Sequence, residues 1–195
     1  DTADVAPGDG IVADAMNQIS LRAAVMEAST LPGDDVIVLG AGTYSLGIGG
    51  DGEEFAASGD LDIFDTQGTL TIRGAGAGLT TINAGNIERV FHVTNGGSLI
   101  LDGVTITGGL VEGSQDGAGL RNDAGTVEIR NSVITGNTSL DDGGGINNAG
   151  TMTIINSTIS NNSATNNGGA IRNIGNLTIS NSLIGGSVDD VAMTD

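Results

Sequence analysis

The chain has no cysteine, lysine or tryptophan, and among its 195 residues are only two prolines, one tyrosine and three phenylalanines. Without cysteine there is neither a disulfide nor a thiolate metal site, and redox chemistry does not identify a compartment. With so few aromatic rings, a cleft that stacks sugars has almost no material. Positive charge is scarce too: six arginines face twenty-four aspartates and glutamates, for a formal net charge of −18. Such a surface repels phosphate backbones and excludes nucleic acid as a partner, while favouring solubility outside the cell and attracting divalent cations. No apolar run approaches the roughly 20 residues of a membrane span. No signal peptide is visible, and a start of Asp-Thr-Ala-Asp without Met reads as processed.

What the chain has instead is glycine, thirty-four of them, and a repeat. Gly125, Gly150 and Gly175 are spaced twenty-five residues apart. In the three blocks they open, the apolar columns Val127/Met152/Leu177, Ile129/Ile154/Ile179 and Ile134/Ile159/Ile184 fall in step. Gly97 to Ile106 and Gly68 to Gly74 fit the same frame one and two coils earlier. Two short strands broken by turns and repeated at this period predict a coil that stacks on itself. The fold expected is all-β, a right-handed parallel β-helix of about six coils over residues 35–184, with Ile72, Leu101, Ile129, Ile154 and Ile179 inward in one column.

Two polar columns accompany the core. Gly74, Gly103, Asn131, Asn156 and Asn181 form a turn column, and glycine and asparagine tolerate a left-handed backbone best. Asn95, Asn122, Asn148 and Asn173 precede the column glycine, and stacked Asn side chains can hydrogen-bond to the copies above and below as a ladder. The Asn-x-Ser/Thr sequences at Asn137, Asn156, Asn161 and Asn176 arise in a repeat built on turn asparagines whether or not a sugar is attached.

Residues 1–34 form an N-terminal segment with one helical stretch: Ser20 is a good N-cap, and Leu21, Ala24, Val25 and Ala28 recur at helical spacing. The helix is expected to cover the open first coil, which begins with Val36-Ile37-Val38-Leu39 and Gly42 to Leu46. Residues 47–59 read as an acidic excursion from the stack and 185–195 as a tail.

Hard oxygen ligands are the only kind present in quantity, so calcium is the cofactor the composition favours. Asp51, Glu53 and Glu54 lie on one side of a loop and Asp60 and Asp62 on the other, while Asp141-Asp142 before three glycines offers a second place. Neither matches an EF-hand or a nonapeptide calcium repeat, and solvated acidic turns account for both as well. The single histidine, His92, alternates with Phe91 and Val93 and reads as an outward strand residue. The acids do not recur as a groove-forming column, so no catalytic residue is assigned. An ice-binding role is set aside because the outward series Thr71/Ile100/Glu128/Thr153/Thr178 and Thr107/Thr135/Ser160/Gly185 do not form one flat lattice.

A longer series of motifs carries a resemblance. Gly8-Asp9-Gly10, Ile19-Ser20-Leu21-Arg22-Ala23-Ala24-Val25, Leu31-Pro32-Gly33-Asp34-Asp35, Gly42-Thr43-Tyr44, Gly59-Asp60-Leu61-Asp62-Ile63, Leu70 to Gly76, and Arg89-Val90-Phe91-His92-Val93 follow in order. Together they resemble the bacterial CSLREA-domain family of secreted parallel β-helix proteins, and the later Gly-Gly-x-Ile-x-Asn blocks resemble outer-membrane-protein-type repeats. The resemblance implies a secreted or cell-surface protein and no shared catalytic residue. Ile19 and Ala23 stand where the motif has its cysteine and its acid, and Val12 where a second cysteine is expected, so an apolar contact of Val12 with Ile19 is expected in place of a disulfide.

The function expected is that of a non-catalytic extracellular structural protein. No C-terminal cap follows Ile184, and Val188, Val191 and Met193 lie in the tail, so self-association into a homo-oligomer or head-to-tail filament is expected through these residues and the N-terminal segment. The alternatives are a carbohydrate-active β-helix enzyme and a monomeric adhesin domain, with cell-surface glycans as partners.

Overall fold

The computed structural model describes residues 1–3, 6–7, 19–50, 55–64, 67–94, 96–185 and 191–193, the last three as backbone only. Asp51, Glu53, Glu54, Asn95 and Val188 lie outside the described residues, as does Val12, the expected partner of Ile19.

Each coil lays down one strand in each of three parallel sheets, and each sheet has six strands. The first sheet is built from 35–38, 70–73, 98–102, 126–130, 151–155 and 176–180. The second is built from 42–45, 80–83, 105–107, 133–135, 158–160 and 183–185, and the third from 61–63, 91–93, 120–122, 146–148, 171–173 and 191–193. A short three-stranded sheet, 110–111, 138–139 and 163–164, fills the corner between second and third. The fold is the expected parallel β-helix, with five steps from first strand to last in each long sheet.

The register follows from side-chain alternation. Ile37, Ile72, Leu101, Ile129, Ile154 and Ile179 pair in sequence across the first sheet. The middle four are fully buried, and Ile179, on the edge strand, is 40% exposed. Ile82, Ile106, Ile134 and Ile159 fill the same role in the second sheet, and Leu61, Phe91, Leu120, Ile146 and Ile171 in the third. A core one side chain thick from each wall needs no tryptophan.

The turn column has two physical causes. Gly103, Asn131, Asn156 and Asn181 have φ of 69°, 52°, 49° and 50°, the left-handed region expected. Gly74 does not share it; a Cβ there would lie 2.4 Å from the Gly103 carbonyl oxygen, so close approach of the backbones requires glycine at that corner.

The asparagine ladder forms inside the third sheet's wall. Asn122 Nδ2 donates to Asn148 Oδ1 at 2.8 Å, and Asn148 Nδ2 to Asn173 Oδ1 at 2.7 Å, with all three residues buried. In the preceding coil the residue paired with Asn122 is Val93. Three residues lie between Val93 and Gly97 and two between Asn122 and Gly125. A second ladder, Asn137 Nδ2 to Asn162 Oδ1 at 3.0 Å, lies at the opposite corner, and Asn137 is fully buried.

The helix spans Leu21–Ala28 and is capped by Ser20, whose Oγ accepts from Ala23 N at 3.1 Å. It packs against strands 35–38 and 61–63, over the first coil. Its burial is nearly all-round, and it includes Arg22, which sequence periodicity placed off the apolar face. Ile19 is 77% exposed. The tail contributes a further strand: 191–193 pairs with 171–173, placing Val191 beside Ile171 and Met193 beside Asn173 within one chain.

Candidate functional site

The chemistry-bearing side chains converge on the outer face of the third sheet. Alternation puts Leu61, Phe91, Leu120, Ile146 and Ile171 inward, so their neighbours Asp62, His92, Arg121, Asn147 and Arg172 form one outward column, paired strand by strand. At its N-terminal end this column is covered. Residues 55–60 return from the excursion and are held down by Arg22, whose guanidinium donates to the carbonyls of Ala56 (2.8 Å), Gly59 (2.7 Å) and Asp60 (3.2 Å) while pairing with Asp1 Oδ1 at 2.9 Å.

Beneath that cover, His92 lies between two carboxylates. Its Nδ1 is 3.2 Å from Asp62 Oδ1 and its Nε2 is 3.0 Å from Asp123 Oδ2. Asp62 is fully buried and also accepts from Ala56 N at 3.0 Å; Asp123 accepts from Arg121 Nε at 2.7 Å. Beside them Arg89 Nη1 donates to Asp60 Oδ2 at 2.6 Å, and Arg89 Nε to the carbonyls of Asp116 and Gly117. Burial alone disfavours a charged imidazole, but the hydrogen bonds it donates to Asp123 and Asp62 outweigh it and push His92 up to about 9. Burial likewise opposes the Asp123 charge, yet His92 and Arg121 hold its carboxyl down at about 2. Burial pushes the Asp62 carboxyl up from its usual range, against the pull of His92. At neutral pH the imidazole is therefore a cation with both N–H groups engaged, and a general base needs a free lone pair there. His92 faces outward, as alternation predicts, but it is buried.

Further along the same face, Asp116, Asp141 and Asp142 come together around Arg172. Asp116 Oδ2 accepts from Asn147 Nδ2 at 3.0 Å and from Arg172 Nη1 at 3.4 Å. Arg172 Nε lies 3.0 Å from Asp142 Oδ2, an ion pair without hydrogen-bond geometry. Asp142 Oδ1 accepts from both nitrogens of Asn167 at 2.9 Å, and Asp141 Oδ1 from Asn166 Nδ2. Burial pushes the Asp116 carboxyl up.

The residues expected to bind calcium thus fall into two groups: Asp60 and Asp62 with His92, and Asp141 and Asp142 with Asp116, each with its ligand atoms within 4.8 Å of one another. In the first, Arg89 and His92 already supply positive charge. In the second, Arg172 does, and three carboxylates provide oxygens of the kind a hard cation takes. His92, Arg89, Asp116 and Asp123 were missed as partners of these acids. The signal was one coil of separation: thirty residues for Asp62 to His92, twenty-nine for Asp60 to Arg89, and twenty-six for Asp116 to Asp142.

The first sheet carries a smaller ionic chain, Arg73–Asp102–Arg130–Glu128, at 3.7, 3.2 and 2.8 Å. Among the described residues, no helix is long and apolar enough to cross a membrane.

Residues 156–173 match the Chlamydia polymorphic membrane protein (Chlamydia_PMP) repeat. The match spans the second-sheet strand 158–160, the corner strand 163–164 and the third-sheet strand 171–173, a little under one coil. No curated protein and no solved structure matches the chain. The comparisons therefore support the likeness to outer-membrane-protein-type repeats and leave the likeness of the N-terminal motifs to the CSLREA-domain family as a resemblance.

Proposed function

We propose that the chain is a non-catalytic β-helix of a cell-surface or outer-membrane-associated protein, a rigid stack that serves as scaffold or adhesive surface. The observation that carries the reading is the state of its only histidine: His92 is clamped between Asp62 and Asp123, so the one imidazole of the chain is committed to joining coils. The match of 156–173 to a Chlamydia polymorphic membrane protein repeat supports the location. The edge strands 176–180 and 183–185, with Ile179 and Leu183 40% and 64% exposed, accept further strands of the same kind, from the same polypeptide or from a second copy, and a head-to-tail filament is the finer reading of that edge.

Two measurements test the function. Brief protease treatment of intact source cells is expected to release peptides of this protein; a signal only after lysis contradicts the location. Incubation with acidic and neutral glycans is expected to give no new reducing ends and no unsaturated products; turnover that is lost in His92→Gln replaces this reading with the enzyme.

A further inference from the structure

The outer face of the second sheet differs from the outer faces of the first and third, both of which carry charged side chains. Ile82, Ile106, Ile134 and Ile159 are fully buried, so the residues on either side of each point outward. On one side stand Thr81, Thr105, Val133 and Thr158, paired in register from coil to coil. On the other stand Asn83, Thr107, Thr135 and Ser160. Neighbouring strands are about 4.8 Å apart and outward residues within a strand about 6.7 Å, so these side chains occupy a two-dimensional grid. None of the eight is charged or aromatic, in a chain with a formal net charge of −18.

A neutral grid calls for a neutral partner that repeats in two dimensions. Crystalline polysaccharide is one class, but its recognition draws on aromatic rings, and none projects from these positions. Ice is the other. Its oxygens donate and accept hydrogen bonds, as a threonine hydroxyl does. Threonine is stiff at χ1, so little side-chain entropy is lost on contact, and its methyl group excludes loose water between the hydroxyls. Thr105 spends its proton on the Ala77 carbonyl and keeps its acceptor lone pairs. Val133 supplies the methyl shape without the hydroxyl. The charge that argues against a lattice in the linear sequence, Glu128, belongs to the first sheet, where it pairs with Ile100 and Thr153. The other series does end in Gly185, which pairs with Ser160 on the edge strand beside the exposed Leu183, so the grid is confined to the four coils from Thr81 to Thr158.

We propose that the outer face of the second sheet, centred on Thr107 and Thr135, binds ice. The proposal goes beyond the surface-scaffold reading and does not depend on it: a β-helix with this face binds ice wherever it is located.

The test is ice shaping and inhibition of ice recrystallisation by the purified chain. The wild type is expected to facet growing crystals and suppress coarsening. Thr107→Lys and Thr135→Lys, each placing a long cation in the grid, are expected to abolish both effects, whereas Thr153→Lys on the first sheet retains them. Circular dichroism and thermal unfolding matching the wild type confirm that each variant is folded. Ordinary rounded crystals at every soluble concentration overturn the proposal, as does equal activity of Thr135→Lys. Binding to crystalline cellulose or chitin, lost in the same two variants and without ice shaping, overturns it in favour of a polysaccharide.

Discussion

The second and third sheets rise from the same coils over the same kind of aliphatic core, yet their outer faces have little in common. The third carries Asp62, His92, Arg121 and Arg172 in one column: Asp62, His92 and Arg172 are tied to partners from another coil or from the returning segment 55–60, and Arg121 to Asp123 of its own coil. The second carries threonine, serine and asparagine without a charge. In a parallel β-helix every outward position is copied one coil on, so a face must either neutralise its charges by alternation along the stack or have none. The third sheet does the first and is occupied with its own structure; the second does the second and is left for contact.

The largest effect should come from what both faces share. Ile154 is fully buried in the central column, and Ile154→Asp places an unpaired carboxylate in the core at a cost of about 4 kcal/mol or more. Chemical denaturation should show both faces lost in one transition; persistence of either would mean that they are separate cooperative units.

Next comes the clasp that distinguishes the third face. The folded His92 value of about 9 lies above the ordinary unfolded value near 6.5, so its contribution is complete below pH 6.5 and is lost as pH rises through 9. The loss is on the order of 3 kcal/mol. Asp123, depressed to about 2, works at the other end: its contribution is present above the normal aspartate range and is lost as pH falls toward 2. Stability measured from pH 6 to pH 9.5 should decline in the wild type and stay flat in His92→Gln. An equal decline in both would separate the pH dependence from this residue.

Smaller still is the ladder behind the third face. Asn148→Ala leaves the Asn122 amide with only its longer bonds to the Gly125 and Thr151 carbonyls and the Asn173 oxygen without the Asn148 donor, a loss of about 2 kcal/mol. Thr135→Ala on the second face, where the side chain is half-buried, should stay within about 0.5 kcal/mol. At the corner between the first and second sheets the size depends on the residue put in: Asn156→Val should cost about 1 to 2 kcal/mol because φ is 49°, and Asn156→Gly only about a few tenths. Similar values for the two would mean that the corner relaxes to ordinary β geometry.

The sequence revealed the walls better than the faces. Ile129, Ile154 and Ile179, and the left-handed Asn131, Asn156 and Asn181, were legible because the repeat there has a fixed period, and period alone determines which side chains point in. Arg22 was missed because periodicity describes a helix with one covered side, whereas residues 55–60 cover the other. His92 was read as outward, and its enclosure was not visible: alternation gives direction, but the carboxylates that enclose it come from the coils on either side. Asp116 joins Asp141 and Asp142 only once the coil brings them to the same height.

The account turns on whether the ionic face is a structural clasp or a site with a free base, and the chain's only histidine reports on it without ambiguity. An NMR titration of the His92 imidazole in the folded protein should give a value near 9, with both ring nitrogens protonated at neutral pH. A value at or below 6.5 would contradict the clasp, leave His92 neutral at pH 7, and return the third face to the catalytic reading.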